Sequence, residues 1–157
     1  PMVSKPANLR NLLATGVLHG HQPSLVELET HLSLARDALH DAGLKETSAS
    51  GRFIGLYNAG HQFTLAAFKI LGYRSGESGG HRQNLFASLE HAVPATEKDK
   101  PVFEKAHRDR NNAEYHGMPV IYSASETEAL VSAINNLREE VEMIFRDWKK
   151  QHTASMK

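Results

Sequence analysis

Apolar residues recur at alternating intervals of three and four along much of this chain, and this spacing constrains its fold most strongly. An α-helix has about 3.6 residues per turn, so the spacing places these side chains on one helical face. The longest run lies near the C-terminal end: Leu130, Ile134, Leu137, Val141, Ile144 and Trp148. Strand-like alternation is confined to residues 120–122, which are too few to anchor a sheet. The pattern therefore predicts an all-α chain.

Start and stop signals divide the sequence into separate helices. A first short stripe consists of Leu9, Leu12, Leu13 and Val17. Ser24 and Glu27 have the spacing of a capping box, and Gly43 ends the second predicted helix. A second capping box, Ser125 with Glu128, begins the last helix. Between them, the apolar spacing predicts helices at about residues 50–71, 81–92 and 97–115.

These elements predict an antiparallel bundle of about five or six helices joined by short connections. The helix at about residues 50–71 is apolar on several sides, so we expect it to be the central one. A length of 157 residues with 40% hydrophobic content is typical of a single globular domain. We expect this domain to span residues 1–157, with its core at about 9–150 and flexible termini.

Charge and composition exclude several classes of function. Lys and Arg together number 18, as do Asp and Glu, so the chain lacks the net positive charge of proteins that hold long nucleic acid. A local basic groove remains compatible with this balance. The absence of cysteine excludes disulfides and thiolate sites. No apolar run approaches the roughly 18 residues of a membrane span, and residues 1–8 lack the apolar part of a signal peptide. We therefore expect a cytoplasmic protein without membrane association.

The densest group of polar side chains lies in residues 107–117. On a helix, four of them fall on one narrow face, because steps of three and four return to the same side: His107, Arg110, Asn111 and Glu114. His116 lies about 120° further round from Arg110. It precedes Gly117 at the helix end, where the last turn can unwind and redirect the ring.

Without further information, this group is equally typical of a solvated helix surface. Arg110 and Glu114 have the spacing of a plain surface ion pair, and His116 has the position to contact the last carbonyls. Tyr57, Asn58 and His61 form a second polar group on the third helix. They either line the same cleft as residues 107–117 or form a hydrogen-bonded interior patch.

Metal and phosphate motifs are not evident. The pairs His19/His21 and His81/His91 lack the helical spacing and acidic neighbour of a helical zinc site. The glycines of residues 73–80 follow no strand and precede no Gly-Lys-Ser/Thr sequence, so they predict a connection and not a phosphate-binding loop. We expect neither a metal ion nor a cofactor.

Arg110-Asn111 followed by His116 resembles the signature of the HEPN superfamily, which is an arginine, a polar residue and a histidine four to six residues after the arginine. As in that superfamily, the motif precedes the final helix. A broader pattern, between about residues 9 and 141, is similar to a group of small bacterial HEPN-like proteins. Its parts are Gly51-Arg52-Phe53, Tyr57-Asn58-Ala59-Gly60-His61, Leu71-Gly72-Tyr73-Arg74, His91-Ala92, Arg110-Asn111, Glu114-Tyr115 and Gly117.

The resemblance implies a metal-independent endoribonuclease that works as a dimer, with two motifs facing each other. His116 would be the general acid and base, and its imidazole suits proton transfer near neutral pH. Arg110 would stabilise the scissile phosphate, and Asn111 would orient the phosphate or the histidine. Attack by a ribose 2′-hydroxyl restricts the reaction to RNA.

Four further residues are candidates for substrate contacts. Glu114 can hold Arg110 from one turn away, and Tyr115 can stack on a base or simply pack. Arg108 would contact RNA as a point charge, and His107 shares the face of Arg110.

Several functions remain open. The first is RNA cleavage or RNA binding by a homodimer, in a toxin–antitoxin or defence system, with an antitoxin partner. The alternatives are a non-catalytic HEPN-like module that binds a nucleotide or a protein such as a nucleotidyltransferase, and a structural dimerisation domain.

Overall fold

The computed structural model describes residues 6–78, 81–82 and 84–154. Six α-helices dominate these residues: α1 Pro6–Ala14, α2 Leu25–Ala42, α3 Ala49–Ile70, α4 Leu89–Ala92, α5 Lys100–His116 and α6 Ala124–Ala154. Buried side chains from all of them form one apolar cluster. The all-α bundle predicted from the apolar spacing is therefore confirmed. Of the termini expected to be flexible, residues 1–5 and 155–157 lie outside the described residues.

The central position of α3 is confirmed by its burial. Apolar and small side chains on most of its circumference are removed from solvent: Phe53, Leu56, Tyr57, Ala59, Gly60, Phe63, Thr64, Ala66, Ala67 and Phe68. The buried Thr64 hydroxyl is hydrogen-bonded within its own helix, because it donates to the Gly60 carbonyl at 2.8 Å. The helices α2, α5 and α6 each pack against α3.

The order of contacts gives the direction of each helix. Glu27, near the start of α2, contacts Lys69 at the end of α3. The end of α2 meets the start of α3, where a Cβ built on Gly55 would lie 3.0 Å from the Ala42 Cβ. These two helices are therefore antiparallel. In contrast, α3 and α6 run in the same direction, since the early residues of both line one small cavity and Gly60 lies against Ile134.

Short strand pairs, which the sequence did not predict, lie in the connections before α2 and after α3. β1, Leu18–Gly20, pairs antiparallel with β2, Tyr73–Ser75. β3, Glu77–Ser78, pairs with β4, His81–Arg82. Backbone groups make these bonds, so the pairs need no alternation of apolar side chains. Gly76 extends the first pair by donating its N–H to the Val17 carbonyl at 2.9 Å.

Two helix starts lie later than predicted. In place of a helix over residues 81–92, a 3₁₀ turn at Leu85–Ser88 leads into the single turn of α4. The Asn84 side chain accepts the Phe86 N–H at 3.1 Å and so begins the turn there. α5 begins at Lys100 after a 3₁₀ segment, Pro94–Asp99, with a proline in its first turn, where no N–H donor is needed.

The start of α6 also corrects a predicted cap. Ser123, and not Ser125, receives the N–H of Glu126 on its hydroxyl at 3.1 Å. The Glu126 carboxylate in turn accepts the Ser123 N–H at 3.1 Å. The capping box is thus formed by Ser123 and Glu126, which lie two residues upstream of the predicted Ser125 and Glu128.

Candidate functional site

The first half of α5 fixes the polar residues 107–117 against the bundle. Phe103 and Ala106 are buried, and the Phe103 ring stacks on Phe86 with centroids 5.2 Å apart. The helix surface then becomes exposed towards His116. Gly117 ends the helix with a φ of 61°, and its N–H donates to the Asn112 carbonyl. The candidate site is therefore the exposed C-terminal half of a helix anchored at its other end.

His107 links α5 to α3 and to the next turn of α5. Its Nδ1 lies 3.0 Å from the Tyr57 hydroxyl, and its Nε2 lies 3.1 Å from the Asn111 amide nitrogen. With Asn111 donating to Nε2, the neutral ring carries its proton on Nδ1. Burial and the nearby Arg110 charge both lower the pKa of His107. His107 and Asn111, both half-buried, thus hold each other in place.

Arg110 is the oriented cation of the cluster. Its Nη1 donates to Glu114 Oε2 at 2.6 Å, one helical turn away. The guanidinium carbon lies 4.9 Å from the centroid of the Tyr57 ring, a cation–π geometry. One third of the Arg110 side chain remains exposed. Tyr57 and Glu114 therefore fix the guanidinium while leaving it accessible to a ligand.

His116 does not join this face. α5 stays helical through His116, so its last turn does not unwind and the ring lies about 120° from Arg110 around the axis. His116 is exposed and makes no hydrogen bond to the part of the chain that the structure describes. Arg108 and Tyr115 are exposed as well. A single protomer thus brings Arg110 together with Glu114, but not with His116.

An open cleft of about 440 Å³ lies beside Arg110. Its walls come from the start of α3, the end of α5 and the loop after α5: Ser50, Phe53, Ile54, Arg110, Ala113, Glu114, Met118, Pro119 and Val120. Most of these side chains are apolar, and the Arg110 guanidinium and Glu114 carboxylate stand among them. Ligand pockets in proteins combine an apolar lining and a few polar groups in this way.

Of the three polar residues noted on α3, only Tyr57 belongs to the site. It is 7% exposed and contacts both His107 and Arg110. The His61 ring stacks on Tyr57 with centroids 6.3 Å apart, and Asn58 is exposed. None of the three lines the cleft. The sequence indicated Tyr57 as polar and central, but its contact with α5 required the packing of the two helices.

A second polar cluster, which sequence reasoning missed, joins α2 to the far end of α3. Lys69 Nζ lies 2.9 Å from His31 Nε2 and 3.4 Å from Glu27 Oε1. His21 Nε2 contacts the same carboxylate oxygen at 2.6 Å, and His31 Nδ1 lies 2.7 Å from the side-chain amide oxygen Oε1 of Gln62. We call these residues the α2–α3 cluster. They come from two distant stretches of the sequence, residues 21–31 and 62–69, so no local motif indicated that they meet.

Two pKa values in the α2–α3 cluster follow from this geometry. Burial lowers the pKa of His31, and the Lys69 charge adds to that effect, although the Gln62 hydrogen bond opposes it. Burial also disfavours the charged form of Glu27, but the His21 hydrogen bond and the Lys69 charge outweigh it, so the pKa of Glu27 is lowered. His31 is therefore neutral and accepts a hydrogen bond from Lys69.

Within residues 6–78, 81–82 and 84–154, no three His, Asp or Glu side chains are arranged to hold a metal ion. In the same residues, no helix is long and apolar enough to cross a membrane. Comparisons with protein-family models, curated proteins and solved structures give no match for this chain.

Proposed function

We propose that this chain binds single-stranded RNA as a homodimer through the C-terminal half of α5, and cleaves it without a metal ion. The observation that carries the proposal is the orientation of Arg110. Its guanidinium is held by Tyr57 and Glu114, remains one-third exposed and stands at the wall of a cleft. A fixed guanidinium suits a phosphate, which it can contact through two parallel hydrogen bonds.

RNA, and not DNA, is the proposed substrate because of His116. In a dimer, one exposed imidazole can take the proton of a 2′-hydroxyl, which then attacks the phosphorus. A protonated imidazole can give a proton to the 5′-oxygen as the bond between that oxygen and phosphorus breaks. Arg110 would stabilise the charge that develops on the phosphate. This division of roles agrees with the resemblance of Arg110, Asn111 and His116 to the HEPN signature.

Catalysis requires two copies of the chain, because Arg110 and His116 lie on different sides of α5. A two-fold dimer would bring the motif of one protomer opposite that of the other. Exposed apolar side chains close to the motif favour such contact: Tyr115 is 73% exposed, Met118 55% and Ile121 79%. We expect light scattering at micromolar concentration to give twice the chain mass of 17.4 kDa. A monomeric mass would count against catalysis.

The central experiment measures binding and cleavage of labelled single-stranded RNA in EDTA. We expect affinity that falls with salt, and products ending in 2′,3′-cyclic phosphate. Arg110→Ala should weaken binding, whereas the matched control Arg36→Ala should not, since Arg36 forms a similar ion pair with Glu142 away from α5. Absence of binding to every RNA sequence would refute the proposal.

A non-catalytic binding module is the second candidate, and the separation of His116 from Arg110 favours it. In this case a nucleotide or a partner protein, such as an antitoxin or a nucleotidyltransferase, would occupy the same face without being cleaved. RNA binding that depends on Arg110 without any cleavage would support this candidate. A dimer that binds neither RNA nor nucleotide would instead indicate a structural dimerisation domain.

A further inference from the structure

We infer that the cleft beside Arg110 receives one unstacked base of the bound RNA, and that Glu114 makes it prefer guanine. This inference rests on the proposed RNA-binding function and names the feature of the RNA that the site recognises. The cleft has a volume of about 440 Å³, which is within the usual range for small-ligand sites.

The apolar lining suits the faces of a base. Ile54 is 51% exposed and Met118 is 55% exposed, so both present apolar surface to solvent at the cleft. Covering this surface with a flat base removes it from water, which is favourable. Single-stranded RNA supplies such bases, because its unpaired bases can turn away from their neighbours. A duplex would keep them stacked and out of the cleft.

Charge complementarity fixes which part of the nucleotide lies where. Arg110 would contact the phosphate, and Glu114, one turn further along α5, would face the base. Among the described residues, Arg110 uses only Nη1 in a hydrogen bond and Glu114 uses only Oε2. The other guanidinium N–H groups and Oε1 of the carboxylate are therefore available to a ligand.

Guanine is the base that matches a carboxylate best. Its Watson–Crick edge presents an imino N–H and an amino group side by side, and a carboxylate only accepts hydrogen bonds. Uracil presents a single N–H between two carbonyl oxygens, which a carboxylate repels. We therefore expect the site to bind guanine about tenfold more tightly than uracil. This ratio is near the lower end of the discrimination that one contact between a side chain and a base edge provides.

The test uses four short uridine oligonucleotides that carry G, A, C or U at one central position. All carry 2′-O-methyl groups, which block the nucleophile and prevent cleavage during the measurement. Fluorescence anisotropy should show about tenfold tighter binding with G than with U. Glu114→Gln should abolish this preference. Ile54→Trp, which fills the cleft, should abolish it as well, whereas Leu34→Trp should not, because Leu34 on α2 is 50% exposed, close to the 51% of Ile54, but does not line the cleft.

The outcomes separate this inference from the proposed function. Equal affinity for the four oligonucleotides, with binding still weakened by Arg110→Ala, would overturn the base site and leave RNA binding intact. A guanine preference unaffected by Ile54→Trp would overturn the cleft as its location. If Ile54→Trp changes the oligomeric state and not the base preference, the cleft belongs to a second copy of the chain. Failure to bind any of the four would overturn both proposals.

Discussion

Two polar clusters join α3 to its neighbours, one near each end of the helix. In the α2–α3 cluster, Glu27 and Lys69 face each other within the bundle, and their side chains are only 30% and 19% exposed. The α5 cluster consists of Tyr57, His107, Arg110, Asn111 and Glu114. Its charged side chains, Arg110 and Glu114, are 33% and 49% exposed. The cavity beside Lys69 measures about 170 Å³, compared with about 440 Å³ beside Arg110.

This difference separates a structural network from a candidate site. Both clusters contain a histidine whose pKa is lowered by burial, and both contain a pair of opposite charges. Lys69, however, contacts Glu27 and His31 at once, whereas Arg110 keeps most of its N–H groups available. Shifted pKa values therefore do not distinguish the candidate site from the α2–α3 cluster. Exposure and the adjoining cleft are what distinguish it.

The largest expected effect concerns His116. His116→Ala should lower the rate of RNA cleavage by roughly 10²–10⁴-fold, the usual contribution of one acid–base group. His31→Ala, in the α2–α3 cluster, should leave the rate unchanged. His40→Ala is the matched control, since His40 is also in the last turn of its helix. Gel-based assays in EDTA measure the RNA cleavage rate of each of these variants. A His116→Ala variant that is folded, dimeric and as fast as wild type would remove the catalytic proposal.

The next effect is on RNA affinity. Arg110→Ala should weaken binding by about 10–100-fold, because it removes hydrogen bonds from a charged group to phosphate. The free energy of unfolding of this variant should fall by less than about 1 kcal/mol, since the side chains of Arg110 and Glu114 are 33% and 49% exposed and solvent screens their ion pair. Lys69→Met should leave RNA affinity unchanged. Anisotropy titrations and urea unfolding of both variants provide the data, and equal losses of affinity would erase the distinction between the clusters.

For stability, we expect the larger loss in Lys69→Met and the smaller loss in Arg110→Ala. Lys69→Met should lower the free energy of unfolding by about 1–3 kcal/mol, because His31 Nε2 loses its donor and Glu27 loses its neighbouring cation in a partly buried place. Urea denaturation of this variant beside Arg110→Ala tests the difference. If Lys69→Met proves as stable as wild type, the α2–α3 cluster is not a structural network.

The smallest effect is the dependence of stability on pH. His31 and His107 have folded-state pKa values below the ordinary 6.5, so the unfolded chain binds protons more readily than the folded one. Their contribution is complete above pH 6.5 and is lost as the pH falls through the lowered pKa values. Unfolding measured between pH 8 and 5.5 should show this decline, and it should be shallower in His31→Gln and in His107→Gln. A steeper decline in either variant would contradict the sign of its shift.

The sequence by itself determined the helices and the polar face of α5. Both depend on contacts three or four residues apart, which the helical period fixes without reference to the rest of the molecule. Hence the Arg110–Glu114 pair forms at the spacing that predicted it, and His107 contacts Asn111, which shares its face of the helix. The exact helix starts were harder to predict. Ser123 and Ser125 are each followed by a glutamate three residues later, so the local pattern offers two caps for α6.

Only the tertiary structure decided which distant residues meet. The Tyr57 contact with Arg110, the cleft between α3 and α5, and the α2–α3 cluster all depend on how neighbouring helices approach each other. That approach is set by the packing of many side chains at once, with Gly55 against Ala42 as one example. α5 also stays helical through His116, and a helix that does not unwind holds residues six apart on different sides, so His116 lies away from Arg110.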